Sequence, residues 1–226
     1  MQVNANLQQV KERINAACAR VNRDPKDVEI IAVTKYASLA RTIEALEAGL
    51  TLLGESRWQD TAPKWQQIQE RAEWHFIGHL QTNKVKDILG KFSVIHSLDR
   101  MSLAQELERK AAQQDITVNC FVQVNVSGEQ SKHGMNPSEF EDFMKEINKM
   151  PHIRPIGLMT MAPYEADPER TRAVFQGLRA LRDSWNENHA NQYLHHLSMG
   201  MSNDFEIAIE EGATMIRLGT ILIGEE

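Results

Sequence analysis

Short apolar runs alternate with longer amphipathic stretches along almost all of this 226-residue chain. The apolar runs fall at residues 29–35, 51–54, 74–78, 94–98, 118–126, 153–161, 193–199 and 215–222, each short enough for a buried strand. Between them, residues 39–48, 81–89, 102–112, 137–147, 165–185 and 203–211 carry apolar side chains at helical spacing. A further helix is predicted before the first strand. There Leu7, Val10, Ile14, Ala17, Cys18 and Val21 share a face, and Pro25 lies just beyond. Strands that alternate with helices are joined by right-handed crossovers into a parallel sheet. About eight such units favour an α/β chain closed into a (β/α)8 TIM barrel, which needs roughly 200 residues or more. An open sheet that binds a dinucleotide would carry a glycine-rich turn after its first strand. The turn here, Lys35-Tyr36-Ala37-Ser38-Leu39, has no glycine. No Pro/Gly/Ser-rich linker or longer repeat divides the chain. Residues 1–226 are therefore expected to form a single barrel domain with an additional N-terminal helix.

Composition removes several functions. Hydrophobic residues make up 42% and charged residues 25%, an ordinary globular balance. The net charge is −6, and Lys and Arg are scattered through helical stretches without forming a basic stripe, so no nucleic-acid partner is expected. The two cysteines, Cys18 and Cys120, lie far apart in apolar patterns and read as small buried hydrophobes, not as a disulfide or zinc framework. The first 20 residues lack signal-peptide order, and no apolar run approaches the roughly 20 residues that span a bilayer. A cytoplasmic protein with no membrane partner is the expectation.

Barrel active sites lie at the C-terminal ends of the strands, and three features fall there. Lys35 closes an otherwise apolar strand. At such a rim, desolvation and neighbouring cations lower a lysine's pKa and make the amine a nucleophile toward carbonyls. The plainer reading is a lysine that snorkels to solvent, and position alone favours it. The second feature is Ser198-Met199-Gly200-Met201-Ser202, which leads into the last long helix. Ser202 or Asn203 is expected as its N-cap, with Glu206 completing a capping box. Free amides there, beside two hydroxyls and a glycine, would cradle an anion; the plainer reading is an ordinary capped turn. The third is Arg217-Leu218-Gly219-Thr220 on the final strand. A buried arginine needs an acceptor, Gly219 permits close backbone approach and Thr220 offers a hydroxyl; a structural arginine–carboxylate pair is the alternative. Together the three describe a ligand with a carbonyl, a phosphate and a further acceptor, a set of groups that pyridoxal 5′-phosphate has.

These segments, with Ala32-Val33-Thr34-Lys35, Gly54-Glu55, Trp74-His75-Phe76-Ile77-Gly78, Leu80-Gln81, Asn83-Lys84 and Gly157-Leu158-Met159-Thr160-Met161, resemble the pyridoxal phosphate homeostasis family. Its members are stand-alone relatives of the alanine racemase N-terminal barrel, and the likeness covers essentially the whole chain. The resemblance implies a cofactor-binding set. Lys35 would form an internal Schiff base. Ser198, Ser202, Gly219 and Thr220, with the amides around Met199, Gly200 and Met201, would bind the phosphate. Arg217 would face the pyridine nitrogen and leave it unprotonated, which makes the ring a weak electron sink. It also implies a carrier or regulator of the cofactor without a catalytic residue set, whose partners are apo enzymes that use the cofactor, or amino acids. Ser56 stands where the family has asparagine, and His79 where it has proline. The ending Ile223-Gly224-Glu225-Glu226 replaces a Phe-Gly pair and a basic residue.

The rival function is an amino-acid racemase or a related enzyme on the same cofactor. Racemisation needs proton-transfer groups on both faces of the substrate. Tyr36 should point away from the mouth if it continues the first strand, which leaves Tyr164 as the substitute base. A Schiff-base aldolase is a second rival, but it accounts less well for the phosphate loops. The chain ends within a few residues of its last predicted strand, so no further β domain is expected, and with it a monomer. The eight histidines fit no HExxH pattern and read as packing or hydrogen-bonded side chains, not as metal ligands.

Overall fold

The computed structural model describes residues 2–130, 132–163 and 167–224. Eight parallel strands close in sequence order into a barrel. They are β1 (Glu29–Val33), β2 (Leu52–Glu55), β3 (Glu73–Phe76), β4 (Val94–Leu98), β5 (Val118–Gln123), β6 (Ile153–Met159), β7 (His196–Ser198) and β8 (Met215–Leu218). Closure is made by β1 against β8, with Glu29 opposite Met215 and Ala32 opposite Leu218. The expected (β/α)8 barrel is the fold observed.

The helices are α1 (Gln2–Arg20), α2 (Leu39–Glu47), α3 (Trp58–Ile68), α4 (Val85–Ile88), α5 (Met101–Gln114), α6 (Phe140–Ile147), α7 (Pro168–Asn188), α8 (Phe205–Glu210) and α9 (Thr220–Ile223). Helix α1 is the expected extra element. It buries Val3, Leu7, Val10, Ile14, Ala17 and Cys18 and packs on α8 and α9. Val21 falls just past its end and is exposed. None of the described helices is long and apolar enough to cross a membrane.

Two cores result. The larger lies between the strands and the helical ring. A smaller one fills the barrel itself and consists of Ile31, Val94, Phe121, Met159 and Met215. Both cysteines are buried and free, and burial pushes the Cys120 thiol up to about 12.

The structure corrects the expected boundaries in one consistent way. Strand β1 stops two residues short of Lys35. Strands β5 and β6 end at Gln123 and Met159, not at 126 and 161, and β7 begins at His196. Thr34, Val124 and Thr160, the first residues past β1, β5 and β6, are still buried, so the apolar surroundings outlast the strands by a residue or more. The last predicted strand, 215–222, is β8 followed by α9, and the chain turns at Gly219. Helix α3 was not foreseen. Its buried side chains are Thr61, Lys64 and Ile68, and Pro63 sits inside it, so the apolar period that reveals a helix is missing.

Candidate functional site

Lys35 stands in a turn two residues after β1, closed by Ala37 N–H donating to the Thr34 carbonyl at 2.9 Å. Beneath it the anchoring is entirely buried. Thr34 Oγ1 donates to Glu55 Oε1 at 2.7 Å. Lys64 Nζ donates to the Thr34 carbonyl at 2.6 Å and to Glu55 Oε1 at 2.9 Å. A carboxylate and an ammonium out of water need partners that satisfy them fully, and here each has the other plus the turn. The lysine thus projects from a base fixed by β2 and α3. Its side chain is half-buried, and Nζ lies 5.1 Å from the centre of the Tyr36 ring. Tyr36 is 89% exposed. Strand alternation was the ground for expecting Tyr36 to point away from the mouth; β1 ends at Val33, so Lys35 and Tyr36 share a turn and that ground does not apply. Tyr164 lies outside the described residues.

The β7–α8 loop begins at the buried Ser198 and Met199, and Met199 N–H donates to the Met215 carbonyl. Gly200 follows at φ +95°, and a Cβ there would lie 2.6 Å from the Ala208 Cβ. Only glycine lets the loop lie against α8 in this way. The predicted N-cap is corrected. Helix α8 starts at Phe205 with Asp204 before it, and the Asp204 carboxylate reaches back to accept the Met201 N–H at 2.6 Å. Burial raises the Asp204 pKa, opposed by that hydrogen bond and by Arg217. Glu206 caps nothing and instead pairs with Arg13 and Arg20 of α1. Among the described residues, the Gly200 and Ser202 amides have no acceptor. Thr220 is exposed at the first position of α9, where helical N–H groups are unpaired, and Gly219 precedes it.

Arg217 lies inside the barrel. Its guanidinium donates to Ser198 Oγ at 2.7 Å and to the Thr160 carbonyl at 3.0 Å. Burial pulls its pKa down to about 10, so it stays cationic at neutral pH. The alternative of an arginine–carboxylate pair gives way to this pair of neutral acceptors. Ser198 Oγ also meets His96 Nδ1 at 2.9 Å, and His96 Nε2 meets His75 Nδ1 at 2.9 Å. Burial first, then His75 and Arg217, hold the His96 pKa well below the usual imidazole value, so its ring is neutral. A buried polar chain therefore runs from β3 through β4 and β7 to β8. The sequence reading missed its connectivity, since one member comes from each strand and nothing in local spacing links them.

Of the predicted residues, Ser198, Met199, Gly200 and Arg217 are buried, Lys35, Met201, Ser202 and Gly219 are half-buried, and Thr220 is exposed. Parallel pairing of β1 with β8 brings Gly219 beside Val33, where a Cβ at Gly219 would lie 3.7 Å from the Val33 Cβ. The lysine turn and the last loop are thus neighbours at one barrel end. Ser56 is half-buried, and its carbonyl passes Gly78 so closely that a Cβ there would come within 2.3 Å. His195, just before β7, is exposed, and His196, its first residue, is half-buried.

Residues 5–226 match the family of the alanine racemase N-terminal domain. A protein of Aquifex aeolicus named pyridoxal phosphate homeostasis protein is 42% identical over 97% of this chain and 96% of its own length. Two solved structures are each 31% identical. A protein of unknown function from Bifidobacterium adolescentis superposes with a TM-score of 0.91 over 97% of this chain and 94% of that one. PipY of Synechococcus elongatus with PLP bound superposes with a TM-score of 0.84 over 95% of this chain and all of its own.

Proposed function

The chain belongs to the alanine racemase N-terminal domain family and, within it, to the pyridoxal phosphate homeostasis proteins; from that premise we propose that it binds pyridoxal 5′-phosphate, holds it as a Schiff base on Lys35 and serves cofactor homeostasis without turnover. The residues present fit such a group. The observation that carries the reading is the convergence at one barrel end of three features from β1, β7 and β8. These are a half-buried amine at Lys35, acceptor-free amides at Gly200 and Ser202, and a buried guanidinium at Arg217. Among the described residues, hydrogen bonds use two of the five Arg217 N–H donors, which leaves donors for a ligand.

In this reading Gly200, Met201, Ser202, Gly219 and Thr220 surround the phosphate. Ser198 forms the floor, where its hydroxyl orients Arg217; Met199 packs in the core between strands and helices and spends its N–H on the Met215 carbonyl, so its amide is not among the phosphate donors. Once bound, the cofactor supplies an aldehyde that joins amines reversibly and a ring that draws electrons from the attached carbon. Arg217, which stays cationic, would donate to the ring nitrogen without protonating it and so would leave the ring a weak electron sink. Asp204 takes the Met201 amide and places a carboxyl beside the phosphate loop, which moderates affinity and suits a protein that must also release its cofactor. Apo enzymes that use the cofactor, or free amino acids, are the partners that would receive it.

Purified protein is expected to be yellow, and borohydride should fix the label on Lys35. Lys35→Ala should lose the visible band. An unchanged band in that variant would remove the assignment. The Tyr36 ring beside the amine favours the second reading, a racemase-like enzyme. Exchange of the α-proton of single L-amino acids into deuterated solvent separates the two: background-level exchange supports the carrier, and rapid exchange with one amino acid supports the enzyme.

A further inference from the structure

Opposite the lysine and phosphate loops, the ends of β3, β4 and β5 bring three ligand-bearing side chains together. His79 lies three residues past β3, Asp99 directly follows β4, and His133 sits in the connection from β5 to α6. One ligand atom from each lies within 4.8 Å of the others. The imidazoles of His79 and His133 stack with centroids 4.1 Å apart, and His79 Nδ1 is 3.8 Å from Asp99 Oδ2. Residues 79, 99 and 133 form no spacing motif, and the side-by-side pairing of β3, β4 and β5 makes them neighbours.

The cluster is built into the framework. Asp99 is held by Arg100, whose NH1 donates to Oδ1 at 2.6 Å while NH2 donates to the Leu80 carbonyl at 2.8 Å. One cation thus orients the carboxylate and ties it to the residue after His79, leaving Oδ2 on the histidine side. The His133 segment is pinned to the end of β5: Gln123 Nε2 donates to the His133 carbonyl at 3.1 Å, and Met135 N–H donates to the Gln123 carbonyl at 3.0 Å. Partners that orient ligands in this way are the usual support of metal sites.

We propose that His79, Asp99 and His133 form a binding site for a divalent first-row transition ion, Zn²⁺ being the probe of choice. Two imidazoles and one carboxylate suit such ions and not Mg²⁺ or Ca²⁺, which prefer oxygen. Bonds of about 2.0–2.2 Å in a tetrahedral ion put ligand atoms roughly 3.3 Å apart. Closing from within 4.8 Å to that separation takes side-chain rotation, and both histidines are exposed. Three protein ligands leave at least one position for water or an anion at the barrel mouth. The site shares no residue with the proposed cofactor set and does not rest on the proposed cofactor function.

The test is calorimetric titration of the tag-free full chain with Zn²⁺, repeated with Co²⁺ while following its ligand-field absorption. One ion per chain is expected. His79→Ala and His133→Ala should each weaken binding at least about tenfold, whereas His195→Ala and Lys35→Ala should leave it intact. Because both histidines are exposed, their variants should keep the thermal transition of the parent. No saturable binding by the parent, or binding that survives both histidine substitutions, overturns the site.

Discussion

Asp204 is the residue on which the rim turns. It is a half-buried carboxyl whose pKa burial raises, and it accepts the Met201 amide, which the proposed phosphate site would otherwise use. A carboxyl with a raised folded pKa binds its proton more tightly when folded. Its contribution to stability is therefore greatest in acid and is lost as pH rises through that pKa. Asp204→Asn keeps an acceptor for Met201 and removes the charge. The variant should be at least as stable as the parent at pH 7, with the difference vanishing below about pH 4 in urea titrations, and should hold the cofactor more tightly. His96 has the opposite sign. As a base with a depressed folded pKa, it supports the fold above the ordinary imidazole range and withdraws that support as pH falls through it.

At the scale of elements, β2 and α3 exist partly to carry the turn after β1. Glu55 is fully buried and Lys64 nearly so, and their ion pair bonds the Thr34 hydroxyl and carbonyl next to Lys35. Lys64→Met would leave a buried carboxylate unpaired, at a cost of about 3–5 kcal/mol in urea unfolding. Adding Glu55→Gln should recover most of that loss, since the uncompensated charge is gone. Equal destabilisation in the single and double variants would show that the pair acts only by packing. The same element explains why α3 escaped sequence reading. Its inward face is made of Thr61, Lys64 and Ile68, chosen for this polar anchor and not for an apolar stripe.

For the whole molecule, α1 is an integral part of the barrel. Val3, Leu7, Val10 and Ile14 are buried in its contact with the ring. At about 1.5–3 kcal/mol per side chain, these four contribute on the order of 6–12 kcal/mol. That is comparable with the roughly 5–15 kcal/mol that stabilises a typical domain. The ion pairs of Arg13 and Arg20 with Glu206 and Glu210 are surface-exposed and add little. Removal of residues 1–20 should therefore abolish cooperative thermal unfolding, while Arg13→Ala should shift the midpoint by no more than about 1 kcal/mol equivalent. A truncated chain that melts like the parent would show that α1 is dispensable.

The sequence alone determined the alternation, and with it the parallel barrel, the place of α1, and the three chemical segments at Lys35, at Ser198–Ser202 and at Arg217–Thr220. Those features are local, written in period and residue type within a few positions of one another. Tertiary structure decided the rest. It moved Lys35 and Tyr36 off the strand into a shared turn, and gave the Met201 amide to Asp204. It also joined His75, His96, Ser198 and Arg217 through the barrel interior and gathered His79, Asp99 and His133 at its rim. Such contacts depend on strand register around a closed cylinder, and register relates residues tens of positions apart that no local pattern connects.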